Sequence, residues 1–435
     1  MTSGRSTAVS GDRAAARLAR PNRASGLPQP GYAGRSLPNI TSSIFRTLVP
    51  RARTDGLAPP LAPALDPFDG RAVEGPIVLL LVDGLGWEGL RGWAARSSTG
   101  LGPRWRAHAS PITTVFPSTT TAALLSLSTA TPPGRHGFVG YRQFLPRFGV
   151  VADMLRMSAA SAPGRDTLVG PEWSPEHVSG VPTVFRRGLR AAALSRESFR
   201  SSGFTRVLYD GAEFVGYGTA TDMARSLSQI LRRSRPPPAV FVYWDELDTI
   251  QHLHGPDPKW ITLELDQLSR LLAQVFDALP AALRRRSWLV ATGDHGQVAT
   301  DRSARIPVDR LPDVLAEMAW PIAGDRRGTF FAARPGRRAA LERALRRHLP
   351  PRARIVSVER AIRAGLFGPR PHHPELRDRL GDLLVLAPSP AALTYQVPGA
   401  APPTRFLLGG HGGLEADELI VPLIAGPLDR FGSVG

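Results

Sequence analysis

The 435-residue chain contains no cysteine, so neither a disulfide nor a thiolate metal site can contribute to its fold. Any metal ion must be held by imidazole nitrogen and carboxylate oxygen, which makes the ten histidines the residues to follow. Lysine is nearly absent too. Lys259 is the only one, and the formal net charge of +17 comes almost wholly from arginine. Such usage can reflect codon bias, so by itself it is weak evidence for a function.

The basic charge does not single out a nucleic-acid-binding protein. A basic chain can bind nucleic acid or anionic membranes by releasing counterions, and a basic cleft can also attract phosphorylated substrates. The sequence has no basic helix interleaved with aromatic residues. Nucleic-acid binding is therefore a minor alternative, which the salt dependence of binding would test.

Long apolar runs are also missing. The longest, about eight residues ending before Asp83, suits a buried strand rather than a membrane span. Residues 1–28 contain arginines but lack the apolar stretch of a secretory signal peptide. We therefore expect a soluble protein without a transmembrane segment, located in the cytoplasm. The sequence does not indicate an oligomeric state.

Composition divides the chain into three parts. Residues 1–35 are rich in Arg, Ala, Ser, Gly and Pro without apolar periodicity, which predicts a disordered tail. Residues 36–75 are predicted to form a short helix, capped by Asn39 or Thr41, followed by a proline-rich linker. Residues 76–435 are predicted to form one large domain that carries the chemistry.

The large domain alternates apolar strand-like runs with helical stretches such as 261–279. The strand predictions are 77–82, 239–243, 288–292 and 419–424, with a further strand and helix within 112–127. This alternation predicts an α/β fold with a mostly parallel central sheet flanked by helices. Two segments, about 138–235 and 306–404, do not continue the pattern and are predicted to be cap insertions.

In such sheets ligands gather beyond the carboxyl ends of the strands. Asp83 follows the strand at 77–82, and Asp294 and His295 follow the strand at 288–292. Each also has a simpler interpretation. Asp83 can be a turn acid before Gly84, and the Asp-His-Gly turn can be a helix cap with a structural histidine.

Two more motifs carry candidate ligands. Asp248 and His252 lie four residues apart, so on a helix both side chains face the same way and can hold one cation, although a surface ion pair has the same spacing. His411 lies between glycines in LLGGHGGL, where the backbone can bend close to a ligand. A plain glycine turn with an incidental histidine fits that run equally well.

Together, and in this order, the motifs resemble the nucleotide pyrophosphatase and type I phosphodiesterase branch of the alkaline phosphatase superfamily. The matching segments are VDG at 82–84, PSTT at 117–120, DTIQHLHGP at 248–256, GDHG at 293–296 and GGHGG at 409–413. The resemblance covers about residues 76–435. It implies an alkaline phosphatase-like core and a metal-dependent hydrolase that acts on phosphate esters or phosphoanhydrides.

The resemblance also implies the role of each residue. The family pattern assigns one metal ion to Asp248, His252 and His411, and the other to Asp83, Asp294, His295 and the Thr120 oxygen. Ligand sets of nitrogen and carboxylate suit zinc, and manganese accepts similar sites. The expected substrate is a phosphorylated small molecule, such as a nucleotide.

Thr120 is implied to be the nucleophile that forms a covalent phospho-threonine. A hydroxyl needs its pKa lowered to react at neutral pH, and metal coordination does so. Thr120 also precedes a helical stretch at 121–128, whose free N–H groups would face an incoming phosphate. The alternative for Thr119, Thr120 and Thr121 is N-capping of that helix.

Two departures from the family leave the substrate open. Phosphodiesterases of this branch carry an asparagine three residues after the nucleophile, where this chain has Ala123. A phosphomonoesterase or phosphotransferase using the same metals is therefore an alternative. Sulfatases need a cysteine or serine nucleophile and an arginine four residues on, where this chain has Thr120 and Leu124. A metal-stabilised protein without catalysis is disfavoured because all seven ligands are present.

The remaining histidines lack the spacing of metal ligands. His136 is predicted to be structural, and His254 to line the cleft or support a ligand. The other five are expected at the surface or in loops: His108, His177, His348, His372 and His373.

Overall fold

The computed structural model describes residues 11–23, 25–170, 173–400 and 405–433. In these residues the strands are, in chain order, β1 (Ile77–Val82), β2 (Ala109–Thr113), β3 (Arg142–Leu145), β4 (Val150–Asp153), β5 (Ser158–Ala159), β6 (Ala191–Arg196), β7 (Glu213–Tyr217), β8 (Ala239–Trp244), β9 (Trp288–Thr292), β10 (Val298–Ala299), β11 (Arg305–Pro307), β12 (Ala323–Gly324), β13 (Gly328–Phe331), β14 (Arg354–Ser357), β15 (Leu383–Leu386), β16 (Ala392–Thr394), β17 (Gly409–Gly410) and β18 (Ile420–Pro427). The α-helices with both ends described are Leu37–Leu48, Trp87–Arg96, Leu101–Ala107, Thr120–Thr129, Pro133–His136, Gly203–Leu208, Ala220–Leu231, Glu246–His254, Pro258–Asp277, Ala281–Arg286, Pro312–Leu315, Arg338–His348, Val358–Arg363, Leu376–Leu380 and Ala416–Leu419. Residues 11–18 are also helical.

A seven-stranded main sheet forms the centre of the molecule, in the order β2-β18-β9-β1-β8-β6-β7. β18 runs antiparallel to both of its neighbours, β2 and β9, whereas the other pairings are parallel. All six residues of β1, IVLLLV, are buried, as expected for a strand covered by helices on both faces. The predicted α/β fold with a mostly parallel central sheet is confirmed.

The flanking helices follow from apolar spacing and local caps. The helix Pro258–Asp277 begins after Asp257, whose side chain accepts a hydrogen bond from the Lys259 amide at 2.8 Å. It buries residues three to four apart, including Leu265, Leu268 and Leu272, which is one face of a 3.6-residue period. None of the described helices is long and apolar enough to cross a lipid bilayer.

The helix Leu37–Leu48 begins three residues earlier than a cap at Asn39 would allow. Its N-cap is Ser36, and Asn39 lies in the first turn, where Oδ1 accepts a hydrogen bond from the Ser36 amide at 2.9 Å. Thr41 is buried inside the helix. The prediction that Asn39 or Thr41 is the N-cap is therefore wrong, because Asn39 satisfies the free amide of Ser36 from within the helix.

A second seven-stranded sheet, which we call the cap sheet, has the order β14-β15-β13-β12-β3-β4-β5. Its pairings are antiparallel. β3, β4 and β5 come from the first predicted insertion and the other four strands from the second. The pairing of β12 with β3 joins the two groups, so distant segments of sequence build one structure.

The first insertion is shorter than predicted. β6 and β7 lie in the main sheet, and the helix Ala220–Leu231 packs beside them. The predicted insertion at 138–235 therefore ends before β6. The strand-end criterion missed β6, because its sequence AAALSR ends in arginine rather than in an acid or histidine.

The described part of the predicted N-terminal tail is folded, so the prediction of disorder over 1–35 is wrong there. Residues 11–18 are helical, and Leu27 is completely buried. The arginine-rich composition hid the few apolar residues that pack against the body. Residues 1–10 and residue 24 lie outside the described residues.

Tyr32 connects this segment to the loop that precedes Thr120. Its hydroxyl donates to the Leu366 carbonyl at 2.8 Å and accepts from the Phe116 amide at 3.1 Å. Burial raises the pKa of Tyr32, which keeps the hydroxyl protonated as this pair of hydrogen bonds requires. The N-terminal segment thus supports the loop that leads to Thr120.

We expect Leu27→Ala to lower the free energy of unfolding by about 2–5 kcal/mol, because truncating a fully buried leucine leaves a cavity. Leu263→Ala is the control, since that leucine is 59% exposed and should cost far less. Urea denaturation of the two variants measures both effects. Equal small losses would show that the N-terminal segment does not pack as described.

Candidate active site

The carboxyl ends of the central parallel strands gather the candidate residues. Asp83 follows β1, Asp294 and His295 follow β9, and the helix Glu246–His254 after β8 carries Asp248 and His252. β18 runs in the opposite direction, so the loop before it reaches the same edge and brings His411. Thr120 is the first residue of the helix that follows β2, the strand at one end of the main sheet. Seven residues spread over the sequence therefore converge at one edge.

One cluster consists of Asp83, Asp294 and His295, all of which are buried. His295 Nε2 lies 3.3 Å from Asp294 Oδ2 and 3.6 Å from Asp83 Oδ1. The same nitrogen lies 3.2 Å from the Thr120 hydroxyl. The predicted second ligand set and the predicted nucleophile are thus brought together.

A second cluster contains Asp248, His252 and His411. His252 Nε2 lies 3.3 Å from Asp248 Oδ2 and 3.2 Å from His411 Nε2. The His411 ring stacks on the His295 ring, with centroids 3.7 Å apart. Ligand atoms of Asp248, His295 and His411 all lie within 4.8 Å of one another. His295 therefore reaches both clusters, whereas the family resemblance assigned it to one.

Backbone carbonyls fix the orientation of the three histidine rings. In each ring Nδ1 lies about 3 Å from a carbonyl oxygen, which assigns the proton to Nδ1 and leaves the Nε2 lone pair facing the centre of the site. The pairs are His252 with Gly409, His411 with Ser118, and His295 with Gly296. This is the arrangement of metal-ligating histidines.

The facing lone pairs and the buried carboxylates of the site would be stabilised by a bound cation. The Nε2 atoms of His252 and His411 face each other at 3.2 Å, where two lone pairs would repel. Asp83 Oδ1 and Asp294 Oδ2 are buried and have no hydrogen-bond partner among the described residues. Burial, followed by the Asp294 charge, raises the pKa of Asp83, and burial lowers the pKa of His411. The donor atoms fit divalent ions bound by nitrogen and carboxylate.

Two polar side chains that the sequence analysis missed orient these ligands. The Tyr243 hydroxyl donates to Asp83 Oδ2, and the Gln297 amide donates to Asp248 Oδ1. Tyr243 pairs with Leu81 in the register of β8 with β1, so the parallel pairing of the predicted strands was the signal that could have placed it beside Asp83. No comparable local signal pointed to Gln297.

The threonine segment separates the roles of its three members. The Thr119 hydroxyl donates to Asp325 Oδ1 at 3.0 Å, and the Thr121 hydroxyl donates to the Gly140 carbonyl at 2.9 Å. Of the three, only Thr120 bonds to a candidate ligand, His295. The helix has no side-chain cap bond at its N-cap, Thr119, so the N-capping alternative does not describe these hydroxyls.

Glycines let the His411 loop approach closely. Gly412 has a positive φ of 107°, and a Cβ there would lie 2.3 Å from the Asp325 Cβ. A Cβ at Gly409 would lie 2.0 Å from Gln297 Oε1. Side chains at either position would push the loop away, which explains why the histidine needs glycine neighbours.

Asp325, between β12 and β13, brings the cap sheet to the threonine segment. It accepts hydrogen bonds from the Thr119 hydroxyl and, at 3.2 Å, from the Tyr141 amide. Burial raises its pKa to about 6. The strands on either side of Asp325 carry no motif, so this contact could not be predicted.

A cavity of about 720 Å³ opens onto the site. Thr120, Asp248, His252 and His411 line it on the main-sheet side, and residues of the cap sheet and its loops line the remainder. A volume of this size accommodates a small organic molecule. The site is thus a cleft between the two sheets.

Roles were also predicted for two histidines outside the clusters, His136 and His254. His136 is completely buried. Its Nδ1 accepts from the Phe138 amide at 3.1 Å, and its Nε2 bonds the Ser126 hydroxyl at 2.9 Å, which fits the predicted structural role. His254 is exposed and does not line the described cavity.

His136 is expected to make stability fall with acid. Burial lowers its pKa to about 3, whereas an unfolded histidine titrates near 6.5. Between these values the unfolded state binds a proton that the folded state does not, so the free energy of unfolding falls by up to about 1.4 kcal/mol per pH unit as pH decreases. Urea denaturation from about pH 7 to pH 4 should show a shallower decline for His136→Gln. Parallel curves would contradict this assignment.

Residues 77–413 match the family model described as type I phosphodiesterase / nucleotide pyrophosphatase. This stretch contains every candidate ligand and covers well over half of the chain. No curated protein is significantly similar to the chain in sequence.

Solved structures share the fold at low sequence identity. An inactive variant of murine ectonucleotide pyrophosphatase / phosphodiesterase 5 in complex with AMP has a TM-score of 0.61 and 17% identity, with 82% of this chain and 88% of that chain covered. The human protein of the same description has a TM-score of 0.58 and 16% identity, with 80% of this chain and 87% of that chain covered. Phosphonoacetate hydrolase from Sinorhizobium meliloti, in complex with phosphonoacetate, has a TM-score of 0.59 and 19% identity, with 82% of this chain and 94% of that chain covered.

Proposed function

Because the chain belongs to the type I phosphodiesterase / nucleotide pyrophosphatase family, we propose that it cleaves a phosphodiester or nucleotide pyrophosphate through a covalent phospho-threonine at Thr120. Phosphoester hydrolysis is the chemistry of the family as a whole. The observation that carries the finer proposal is the 3.2 Å contact between the Thr120 hydroxyl and His295 Nε2, at the point where the two ligand clusters meet.

Two divalent ions would be held by the residues of these clusters. One set is Asp248, His252 and His411, and the other is Asp83, Asp294, His295 and the Thr120 oxygen. Bound ions would lower the pKa of the attacking hydroxyl and neutralise charge on the phosphoryl oxygens. Zinc is the first choice for nitrogen and carboxylate ligands, with manganese as the alternative.

The chain itself orients the reacting atoms. The Thr120 hydroxyl loses its proton to solvent, and its oxygen forms a bond to phosphorus while the bond from phosphorus to the leaving-group oxygen breaks. The leaving-group oxygen keeps the electron pair. Water then cleaves the phospho-threonine and restores the hydroxyl. The helix Thr120–Thr129 directs its N-terminus towards this place, and its N–H groups favour negative charge there.

A phosphorylated small molecule is the proposed substrate. The murine structural relative is in complex with AMP and the bacterial one with phosphonoacetate. Both ligands carry a phosphorus-centred anion of a size that suits the cavity. The cytoplasmic location of the protein remains a prediction from the sequence.

Ala123 favours a second candidate, a phosphomonoesterase or phosphotransferase that uses the same site. Ala123 is completely buried, and its methyl group cannot donate a hydrogen bond to a non-reacting phosphoryl oxygen. In the family that donor is an asparagine. Its loss removes a contact that a diester needs and leaves the metal ligands untouched.

Steady-state assays of the purified protein, loaded with zinc or manganese, distinguish these candidates. p-Nitrophenyl phosphate, bis(p-nitrophenyl) phosphate and a dinucleotide pyrophosphate report monoester, diester and pyrophosphate cleavage. We expect the highest kcat/KM for the diester or the pyrophosphate. Preference for the monoester would select the second candidate, and no turnover of any of the three would overturn the hydrolase proposal.

A further inference from the structure

The cavity that opens onto the candidate metal ligands has a wall rich in arginine. Five arginines line it: Arg142, Arg302, Arg305, Arg326 and Arg405. Arg142 forms an ion pair with Asp153 at 2.7 Å. Among the described residues the other four form no ion pair within 4 Å. The wall thus carries positive charge that the protein itself leaves unbalanced.

Arg326 is the central member of this arginine wall. Its Nη1 is buried and has no hydrogen-bond partner among the described residues. Burial, and after it the Arg142 guanidinium, lower the pKa of Arg326, and Arg305 acts in the same direction. Three guanidinium groups therefore lie close enough to repel one another. Such an arrangement is costly unless an anion completes it.

The neighbouring carboxylate offsets this repulsion only in part, because the Asp325 charge raises the pKa of Arg326 less than burial, Arg142 and Arg305 lower it. Asp325 is adjacent to Arg326 in sequence, but one of its oxygens accepts from the Thr119 hydroxyl and the other from the Tyr141 amide. The reacting phosphoryl group would be held by Thr120 and the metal ligands under the proposed function, which leaves the buried Nη1 of Arg326 without an assigned partner. A second anionic group on the bound substrate would pair with these arginines while the reacting phosphoryl group contacts Thr120.

We propose that the substrate carries a second anionic group on its leaving-group side, and that Arg326, together with Arg305, binds it. This inference rests on the proposed phosphohydrolase function and narrows its substrate class. The anion is a carboxylate or a phosphate, because both accept the paired hydrogen bonds that a guanidinium donates. The cavity volume of about 720 Å³ leaves room for a short linker between the two anions.

Three aromatic phosphates with one ring in common test the proposal. Phenyl phosphate has an uncharged leaving group, 4-carboxyphenyl phosphate adds a carboxylate, and 1,4-phenylene bisphosphate adds a phosphate. For Arg326→Gln we expect kcat/KM to fall about 10- to 100-fold for a charged leaving group, mainly through KM, because a hydrogen bond to a charged group is lost. For phenyl phosphate we expect less than about a threefold change. The charged compound that shows the larger loss identifies the anion.

Two further variants keep the result interpretable. Arg305→Gln changes an exposed side chain and should show the same selective loss even if Arg326→Gln does not fold. Arg285→Gln is the control for net charge. Arg285 is exposed and lies in the helix before β9, at the edge of the sheet away from the site, and its variant should retain all three rates.

Equal losses for charged and uncharged leaving groups, or no loss in either cavity variant, would overturn the proposal. All three compounds are monoesters, so if the metal-loaded wild type turns over none of them, the diester and pyrophosphate assays described above decide the hydrolase function. Calorimetric binding of the same compounds then decides the anion site separately. Tighter binding of the two charged compounds that disappears in Arg326→Gln supports it, and equal binding of all three refutes it.

Discussion

Thr120→Ala is expected to lower kcat by several orders of magnitude while the protein remains folded. The variant removes the hydroxyl that lies 3.2 Å from His295 Nε2, so an unpositioned water molecule would have to attack instead. Holding a nucleophile in place is worth about 7–11 kcal/mol of the barrier in favourable cases. Single-turnover and steady-state assays of the metal-loaded variant measure the loss. A phosphorylated tryptic peptide containing Thr120, trapped by acid quench of the wild type, would identify the intermediate directly.

The neighbouring threonines provide matched controls. Thr121→Ala removes a hydroxyl bonded to the Gly140 carbonyl, away from the ligands, and should cost little activity. Thr120→Ser keeps the oxygen and should remain measurably active. If Thr121→Ala abolishes turnover and Thr120→Ala does not, the nucleophile is assigned to the wrong residue. If none of these changes matters, the covalent mechanism fails.

Asp294→Asn is expected to remove at least one bound ion and most of the activity without unfolding the protein. Asp294 Oδ1 accepts from the amides of Gly84 and His295, both at 2.9 Å, and an asparagine oxygen can keep those bonds. The amide nitrogen would replace Oδ2, which is buried without a partner and lies 3.3 Å from His295 Nε2. Because a neutral N–H₂ group is a donor, it cannot bind a cation.

Elemental analysis together with activity checks this expectation. The wild type should hold about two zinc or manganese ions per chain after loading, and the variant fewer. Asp266→Asn is the control. Asp266 is also buried, but it accepts from the Trp93 indole N–H at 2.7 Å, and its variant should keep the metal. A fully loaded, active Asp294→Asn would show that this carboxylate is not a ligand.

The centre of the fold could be predicted from the sequence because its signals are local. The strand predictions at 77–82 and 288–292 coincide with β1 and β9, since both are short apolar runs that end in an acid. Once the strands are parallel, their ends must meet at one edge. That rule placed Asp83 beside Asp294 before any contact was known. The identification of Thr120 and His411 needed the family resemblance, because a hydroxyl at a helix start and a histidine between glycines are not specific signals on their own.

The cap and the N-terminal segment could not be predicted in the same way. The pairing of β12 with β3 joins segments whose partners lie far apart in the chain, and neither strand has a distinctive pattern. Leu27 is a single apolar residue in a polar, arginine-rich stretch, so its burial has no periodic signal. Composition predicts disorder there only on average, and one well-placed side chain can overrule it.

The arginine wall shows the same limit at the site. Its members come from β3, β11 and three separate loops, and no two of them share a motif. Arginine is so common in this sequence that an individual one carries no information. The position of Arg326 becomes meaningful only when the buried Nη1 and the neighbouring ligands are seen together.

The placement of β18 bears on the order in which the protein can be made. During synthesis β2 and β9 leave the ribosome well before β18, the strand that lies between them in the sheet. Residue 113 of β2, for example, pairs with residue 420 of β18. Until then the facing edges of β2 and β9 expose unpaired N–H and C=O groups that can associate wrongly. His411 is delivered in the same late stretch of synthesis. A nascent chain released before that point would contain neither a closed central sheet nor the complete set of candidate ligands, so we expect premature termination to yield an aggregation-prone product and not a weakened enzyme.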